Sequence, residues 1–162
     1  MKQQMVIFKI GAEEFALDIT LAKEVLVARD VTPIPETAEY VTGIASLRGN
    51  LIAVLDLRKR FRAAGAGNAE EERMIVADVD GRVVGLMVDG VSEIMSINEA
   101  MVEPPPDFVR EIGANYVQGI INGGGRFITM IDLRRALDEE IVCEIDRAIA
   151  MLKSEMCAKF DT

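Results

Sequence analysis

The sequence predicts an all-β fold in which one small unit occurs twice, followed by a C-terminal amphipathic α-helix. Three observations predict it. First, residues 40–61 lie over residues 116–137 at a shift of 76 without a gap, with nine of 22 positions identical. Ordinary composition gives chance identity at roughly one position in fifteen, so the match marks a duplication. Second, the apolar residues fall in short alternating runs bounded by Gly, Asn and Asp, the pattern of half-buried strands joined by tight turns. Third, the apolar period lengthens after Leu137 to that of a helix.

In chain order, Met5 to Ile10 and Phe15 to Ile19 flank the polar Gly11-Ala12-Glu13-Glu14 and read as a hairpin, with Phe15, Leu17 and Ile19 on one face. Ile44 to Arg48 turns at Gly49-Asn50 into Leu51 to Leu55, a run apolar on both faces. Asp56 follows, then Leu57-Arg58 and a short basic stretch. Asp is a favoured helix N-cap, so one helical turn is expected here and again after Asp132. The cluster Arg58-Lys59-Arg60 with Arg62 reads as an exposed helical face. Ala63 to Glu72, small and finally acidic, reads as an exposed connector.

The second copy repeats the scheme. Arg73 to Val79, Asp80-Gly81 and Arg82 to Val88 form a hairpin, and the Asp-Gly step favours a primed turn. Residues 5–26 match 74–95 more weakly, at a shift of 69, sharing only Met5/Met74, Leu17/Leu86 and Glu24/Glu93 while their apolar pattern coincides. The difference of seven between the two shifts is an insertion before Tyr116, where Pro104-Pro105-Pro106 marks a surface loop. Ile120 to Asn122 turns at Gly123-Gly124-Gly125 into Phe127 to Ile131. Many short strands at this spacing imply barrels or sandwiches rather than a βαβ fold. Beyond Leu137, Ile141, Ile145, Ile149, Leu152, Met156 and Phe160 form a stripe at helical spacing, opened by Asp138, Glu139 and Glu140. Two uses of this helix stand open: covering the protein's own barrel, or docking on a partner.

Composition removes several function classes. The net charge of −9, with 27 acids against 18 bases, opposes a polyanionic partner, so no nucleic acid is expected. The apolar run Met5 to Phe8 ends at Lys9, far short of the roughly 18 residues that span a bilayer and too short for a signal peptide. A cytoplasmic protein without direct membrane insertion is expected. Cys143 and Cys157 lie 14 residues apart in one expected helix. At 1.5 Å per residue that is about 21 Å, too far for a disulfide. The chain has no histidine, which removes the commonest general base and most zinc sites. No phosphate-binding glycine motif follows a strand and opens a helix. No catalytic residue, metal site or cofactor is expected.

The copies differ at one turn, where Leu47-Arg48-Gly49 stands over Gly123-Gly124-Gly125. Glycine satisfies the turn, so Arg48 has another use. Either its planar fork meets a carboxylate on another chain, or it makes a surface ion pair with Glu24 worth about 0–1 kcal/mol.

These residues resemble the CheW-type chemotaxis coupling proteins. The resemblance is carried by Pro33-Ile34-Pro35, Tyr40-Val41-Thr42-Gly43-Ile44, Ser46-Leu47-Arg48-Gly49-Asn50 and Val54-Leu55-Asp56-Leu57-Arg58. It continues through Val83-Val84-Gly85-Leu86-Met87-Val88-Asp89-Gly90-Val91-Ser92-Glu93-Ile94 and Met130-Ile131-Asp132-Leu133, spanning roughly residues 3–138. Ser46 and Ala53 depart from the family's usual Asn and Pro. The resemblance implies two small five-stranded SH3-like barrels packed together. The expected CheW-like domain covers 1–138, with a first barrel unit at about 5–62, a linker at 63–72, a second unit at about 73–137, and the helix over 139–162. The first strand is open to exchange between lobes, so repeat edges need not be barrel edges. The implied function is a non-catalytic scaffold coupling the cytoplasmic hairpin tip of a chemoreceptor, a methyl-accepting chemotaxis protein, to the regulatory domain of the histidine kinase CheA. In that role a cytoplasmic protein is recruited to membrane-associated receptor arrays. The alternative is a CheW-like regulatory or interaction module of another kinase pathway. The implied partner-binding residues are Glu24 and Arg48 as a charged pair, and Gly85, Val91 and Ile94 as the wall of a groove for the receptor helix. Against these stand plain core packing for Val91 and Ile94 and close strand packing for Gly85.

Overall fold

The structure is a computed structural model and describes residues 3–27, 31–33, 41–60, 72–107, 116–137, 143, 145–147 and 149–150. Among the described residues eleven strands run in order: β1 (Gln3–Ile10), β2 (Glu13–Asp18), β3 (Ala22–Val27), β4 (Val41–Leu47), β5 (Asn50–Asp56), β6 (Arg73–Val79), β7 (Arg82–Val88), β8 (Gly90–Ile97), β9 (Val102–Glu103), β10 (Val117–Gly123) and β11 (Arg126–Ile131). Two single helical turns follow the matching strands, α1 (Leu57–Arg60) after β5 and α2 (Leu133–Ala136) after β11. The fold is all-β, as expected. Among the described residues no helix is long and apolar enough to cross a membrane.

The strands form a six-stranded sheet, β8-β1-β2-β11-β10-β9, and a five-stranded sheet, β3-β6-β7-β5-β4. The sheets do not follow the repeats. Hairpin β1–β2 of the first copy lies among β8, β10 and β11 of the second, while hairpin β6–β7 of the second lies among β3, β4 and β5 of the first. The chain passes between sheets at Ile19–Leu21 and again at the single residue Asp89. The two exchanges match residue for residue. Parallel pairs Thr129↔Phe15 and Met130↔Ala16 correspond to Ala53↔Val84 and Val54↔Gly85 under the shifts of 76 and 69. Even the irregularities repeat, with bulges at Lys23 in β3 and at Ser92 in β8.

Three apolar clusters follow from this layout. Met5, Ile7, Ala16, Ile121, Ile128 and Met130 fill the six-stranded lobe. Their counterparts Met74, Val76, Ala45, Ile52 and Val54 fill the five-stranded lobe. A third cluster draws on both sheets, including Phe8, Phe15 and Leu17 from one and Leu55, Ile75 and Leu86 from the other, with Ile131, Leu133 and Ile145. Side chains alternate across a strand, so each exchanged hairpin contributes one face to a lobe and the other to this shared core.

The expected turns and caps formed. Asp80 and Gly81 have φ of 52° and 87°, the primed geometry that suits twisted strands. Asp132 caps α2, its carboxylate accepting from the backbone N–H of Arg134 and Arg135, and Asp56 accepts from the N–H of Arg58 at 3.0 Å. Described residues of the C-terminal segment (143, 145–147, 149–150) are helical. Ile141, Leu152, Met156, Phe160 and Cys157 lie outside the described residues, as does most of the 63–72 connector. Cys143 is a free, exposed thiol.

Arg58 does not form the exposed basic face expected of it. Its guanidinium turns inward to Asp56 at 2.9 Å, Asp89 at 3.0 Å and Glu72 at 3.0 Å. Its hydrogen bonding to the Asp56 carboxylate is the largest cause that holds it more firmly protonated than a free arginine. Asp89 also accepts the backbone N–H of Gly11 at 2.6 Å. The crossing residue between the sheets is thus tied to the β1–β2 turn and to α1. Breaking one partner of such a cluster strands the others without compensation. Arg58→Met leaves Asp56 and Asp89, 6% and 5% exposed, without their cation. It should lower the unfolding free energy by about 3–5 kcal/mol in urea denaturation; a loss under about 1 kcal/mol would remove the structural role assigned to the cluster.

Candidate functional site

Strand β3 is one edge of the five-stranded sheet and separates two recesses. Its burial alternates residue by residue, because successive side chains point to opposite faces. Leu26 packs on the lobe's own core. Glu24 and Lys23 line a cleft of about 610 Å³ together with Leu47, Arg48, Leu51, Ile52, Val76, Val83 and Ile149. Val25 lines a groove of about 570 Å³ with Lys9, Arg73, Gly90, Val91 and Ser92. That groove lies between β3 and β8, one edge strand from each sheet.

In the cleft, Glu24 and Arg48 form a two-point ion pair at 2.7 and 3.2 Å. The side chain of Arg48 remains 74% exposed and that of Glu24 22%. Arg48 occupies the first position of the two-residue β4–β5 turn with φ of 51°, followed by Gly49 at 82°. Its counterpart Gly124 has φ of 60°. An L-residue in this left-handed region is strained where glycine is not. The intramolecular ion pair weighed for Arg48 is present, and among the described residues the guanidinium uses two of its five N–H donors.

The six-stranded lobe carries a related device. Glu93 in β8, the counterpart of Glu24, accepts from Arg126 at 2.7 Å, and Arg126 also pairs with Glu14. Both edge strands are thus tied to a hairpin of their own lobe by a glutamate–arginine contact, built from non-equivalent arginines.

The expected groove residues separate. Val91 packs against the shared core and also lines the groove beside Val25. Ile94 lies farther along β8, opposite Val6, and is 60% exposed. Gly85 is buried in β7 between Val76 and Val54, where an added Cβ would come within 2.6 Å of Met74 Sδ and 3.5 Å of Ile52 Cδ1. It sits under the floor of the Glu24–Arg48 cleft. Val25 and Val27, 42% and 57% exposed on the edge strand, were not singled out from the sequence, nor were Glu14, Glu93 and Arg126. Among the described residues no cluster of His, Cys, Asp or Glu could hold a metal ion.

Gly85→Ala should cost about 1–3 kcal/mol in chemical denaturation, since Met74 must shift within a packed core. An unchanged midpoint would show that the core at Met74 yields freely, and would remove the packing constraint assigned to Gly85.

Comparison with known proteins is consistent across sequence and structure. Residues 4–140 match the family model described as a CheW-like domain. The chemotaxis protein CheW of Klebsiella aerogenes is 32% identical over 144 residues, covering 89% of this chain and 87% of that protein. CheW of Bacillus subtilis is 27% identical over 138 residues, covering 85% and 88%. The crystal structure of the scaffolding protein TtCheW from Thermoanaerobacter tengcongensis superposes with a TM-score of 0.79 at 36% identity, covering 87% of this chain and 91% of that one.

Proposed function

This chain belongs to the CheW-like family, and from that premise we propose that it is a non-catalytic scaffold of chemotaxis-type signalling, joining a chemoreceptor to the histidine kinase CheA. It acts on the cytoplasmic side, at membrane-associated receptor arrays. The observation that carries this reading is the placing of two unlike recesses on either side of β3. A coupling protein needs two partner surfaces close enough to register one another, and one strand here borders both.

The cleft suits the kinase's regulatory domain. Arg48 stands at its mouth with donors to spare, and a charged contact of this kind sets orientation and encounter rate. The groove suits the receptor's helical hairpin tip. Val25 and Val91 give it apolar sides, with Val27 and Ile94 exposed farther along the two edge strands. An amphipathic helix seated there buries these side chains. Gly85 supports the cleft from below rather than forming a groove wall.

The test is assembly of the purified chain with a receptor cytoplasmic fragment and CheA, followed by sedimentation and kinase assay. Entry into the ternary complex is expected, and exclusion from it would overturn the proposal. Arg48→Glu should change stability by no more than about 1 kcal/mol, because it removes a solvent-exposed pair. It should weaken kinase association by at least about tenfold. Ile94→Asp should leave folding and kinase association intact while weakening receptor association by about tenfold, since it places a charge on an apolar contact. Equal loss of both partners from Ile94→Asp would contradict the assignment of groove and cleft to separate partners.

A further inference from the structure

The family match ends at residue 140, yet the chain beyond it returns to the Glu24–Arg48 cleft. Ile145 is fully buried in the shared core. Asp146 accepts from Arg82 Nε at 3.2 Å and Nη2 at 2.9 Å, which fixes the helical segment on the β6–β7 hairpin. Ile149, four residues on from Ile145 and so on the same helical face, lines the cleft. Among the described residues that line it, Ile149 alone lies outside the family domain.

Charge gives this cleft little means of discrimination. Its Lys23, Glu24, Asp80 and Arg82 each pair within the chain, with Asp78, Arg48, Arg134 and Asp146 respectively. Leu51, Val83 and Ile149 are left half-buried at its walls. A hydrophobic wall discriminates by shape, and a change there alters affinity without altering the register set by charge. We propose that the C-terminal segment is a selectivity wall of the docking cleft. Ile149 packs on an apolar side chain of the partner seated between it, Leu51 and Val83, while a neighbouring partner carboxylate takes the open donors of Arg48. The common domain supplies the site, and the segment that follows it narrows the range of kinases that fit. This inference rests on the docking reading given above.

The experiment measures affinity of the full chain for the kinase regulatory domain by titration calorimetry, with thermal unfolding in parallel. Ile149→Ser should weaken binding about tenfold, and Ile149→Leu should remain within about twofold of the parent. Ile149→Trp keeps the apolar contact but fills the cleft, and should also weaken binding about tenfold, so the inference stays testable if the serine variant folds poorly. Parent-like affinity in both Ile149→Ser and Ile149→Trp, with Arg48→Glu still defective, would overturn the selectivity wall and leave the docking site standing. No binding by the parent chain, or parent-like binding by Arg48→Glu, would overturn the docking site and the wall with it.

Discussion

Each exchanged hairpin is held by the other copy on both sides: β1–β2 by antiparallel β8 and parallel β11, and β6–β7 by antiparallel β3 and parallel β5. These pairings hold the duplicated molecule in its observed form. Neither lobe can complete its sheet from its own repeat, so the lobes form together or not at all. The shared core follows from the same constraint, because each exchanged hairpin buries one face in a lobe and the other between lobes. Burial on both faces accounts for Phe8, Leu17, Leu55 and Leu86 being almost fully enclosed in a chain small enough for burial to be limited. The Arg58 cluster then fastens the point where the chain passes from one sheet to the other.

That layout also dictates where the free strand edges lie. With the interior of each sheet closed by exchange, β3 and β8 are equivalent edges, one of the two in each sheet, and both border one groove. An open edge invites pairing with other chains. Here each edge is bulged at the matching position and carries a glutamate tied to an arginine of a nearby hairpin. Bulges and charges blunt strand addition while leaving Val25, Val27 and Ile94 exposed. The surface thus disfavours another strand and remains open to a helix, in keeping with the proposed receptor contact.

Much of this was legible in the sequence, and the remainder was hidden for identifiable reasons. Asp80-Gly81 and the Asp132 cap act within a few residues, so local chemistry determines them. The repeat was visible because the structural demands on its two copies are the same. Which copy each hairpin joins was not visible, since alternation reveals the buried face of a strand and not its neighbour. Arg58 was misjudged because Asp89 and Glu72 lie 31 and 14 residues away, and a basic run resembles a solvated face until its acids are placed. Val25 and Val27 have the composition of core residues, and only their edge position exposes them. Gly85 was legible as a constrained glycine, but its constraint is Met74 inside the lobe.

The divergence between the copies bears on what the molecule is for. The β10–β11 hairpin turns on Gly124 and Gly125 at φ of 60° and 85°, so the backbone needs nothing larger there. Arg48 adopts the same left-handed geometry at a cost on the order of 1 kcal/mol relative to glycine. Its ion pair with Glu24 stabilises by about 0–1 kcal/mol, as exposed pairs do. The two terms nearly cancel, and the other lobe ties its edge strand through Arg126 from an ordinary strand position without that strain. Internal stability therefore gives no reason to prefer arginine at the turn. What the turn does provide is projection, since it carries a guanidinium clear of the barrel at the mouth of a cleft whose other charges are already matched. A residue that the fold does not require thus stands where the proposed contact with another protein needs a free cation.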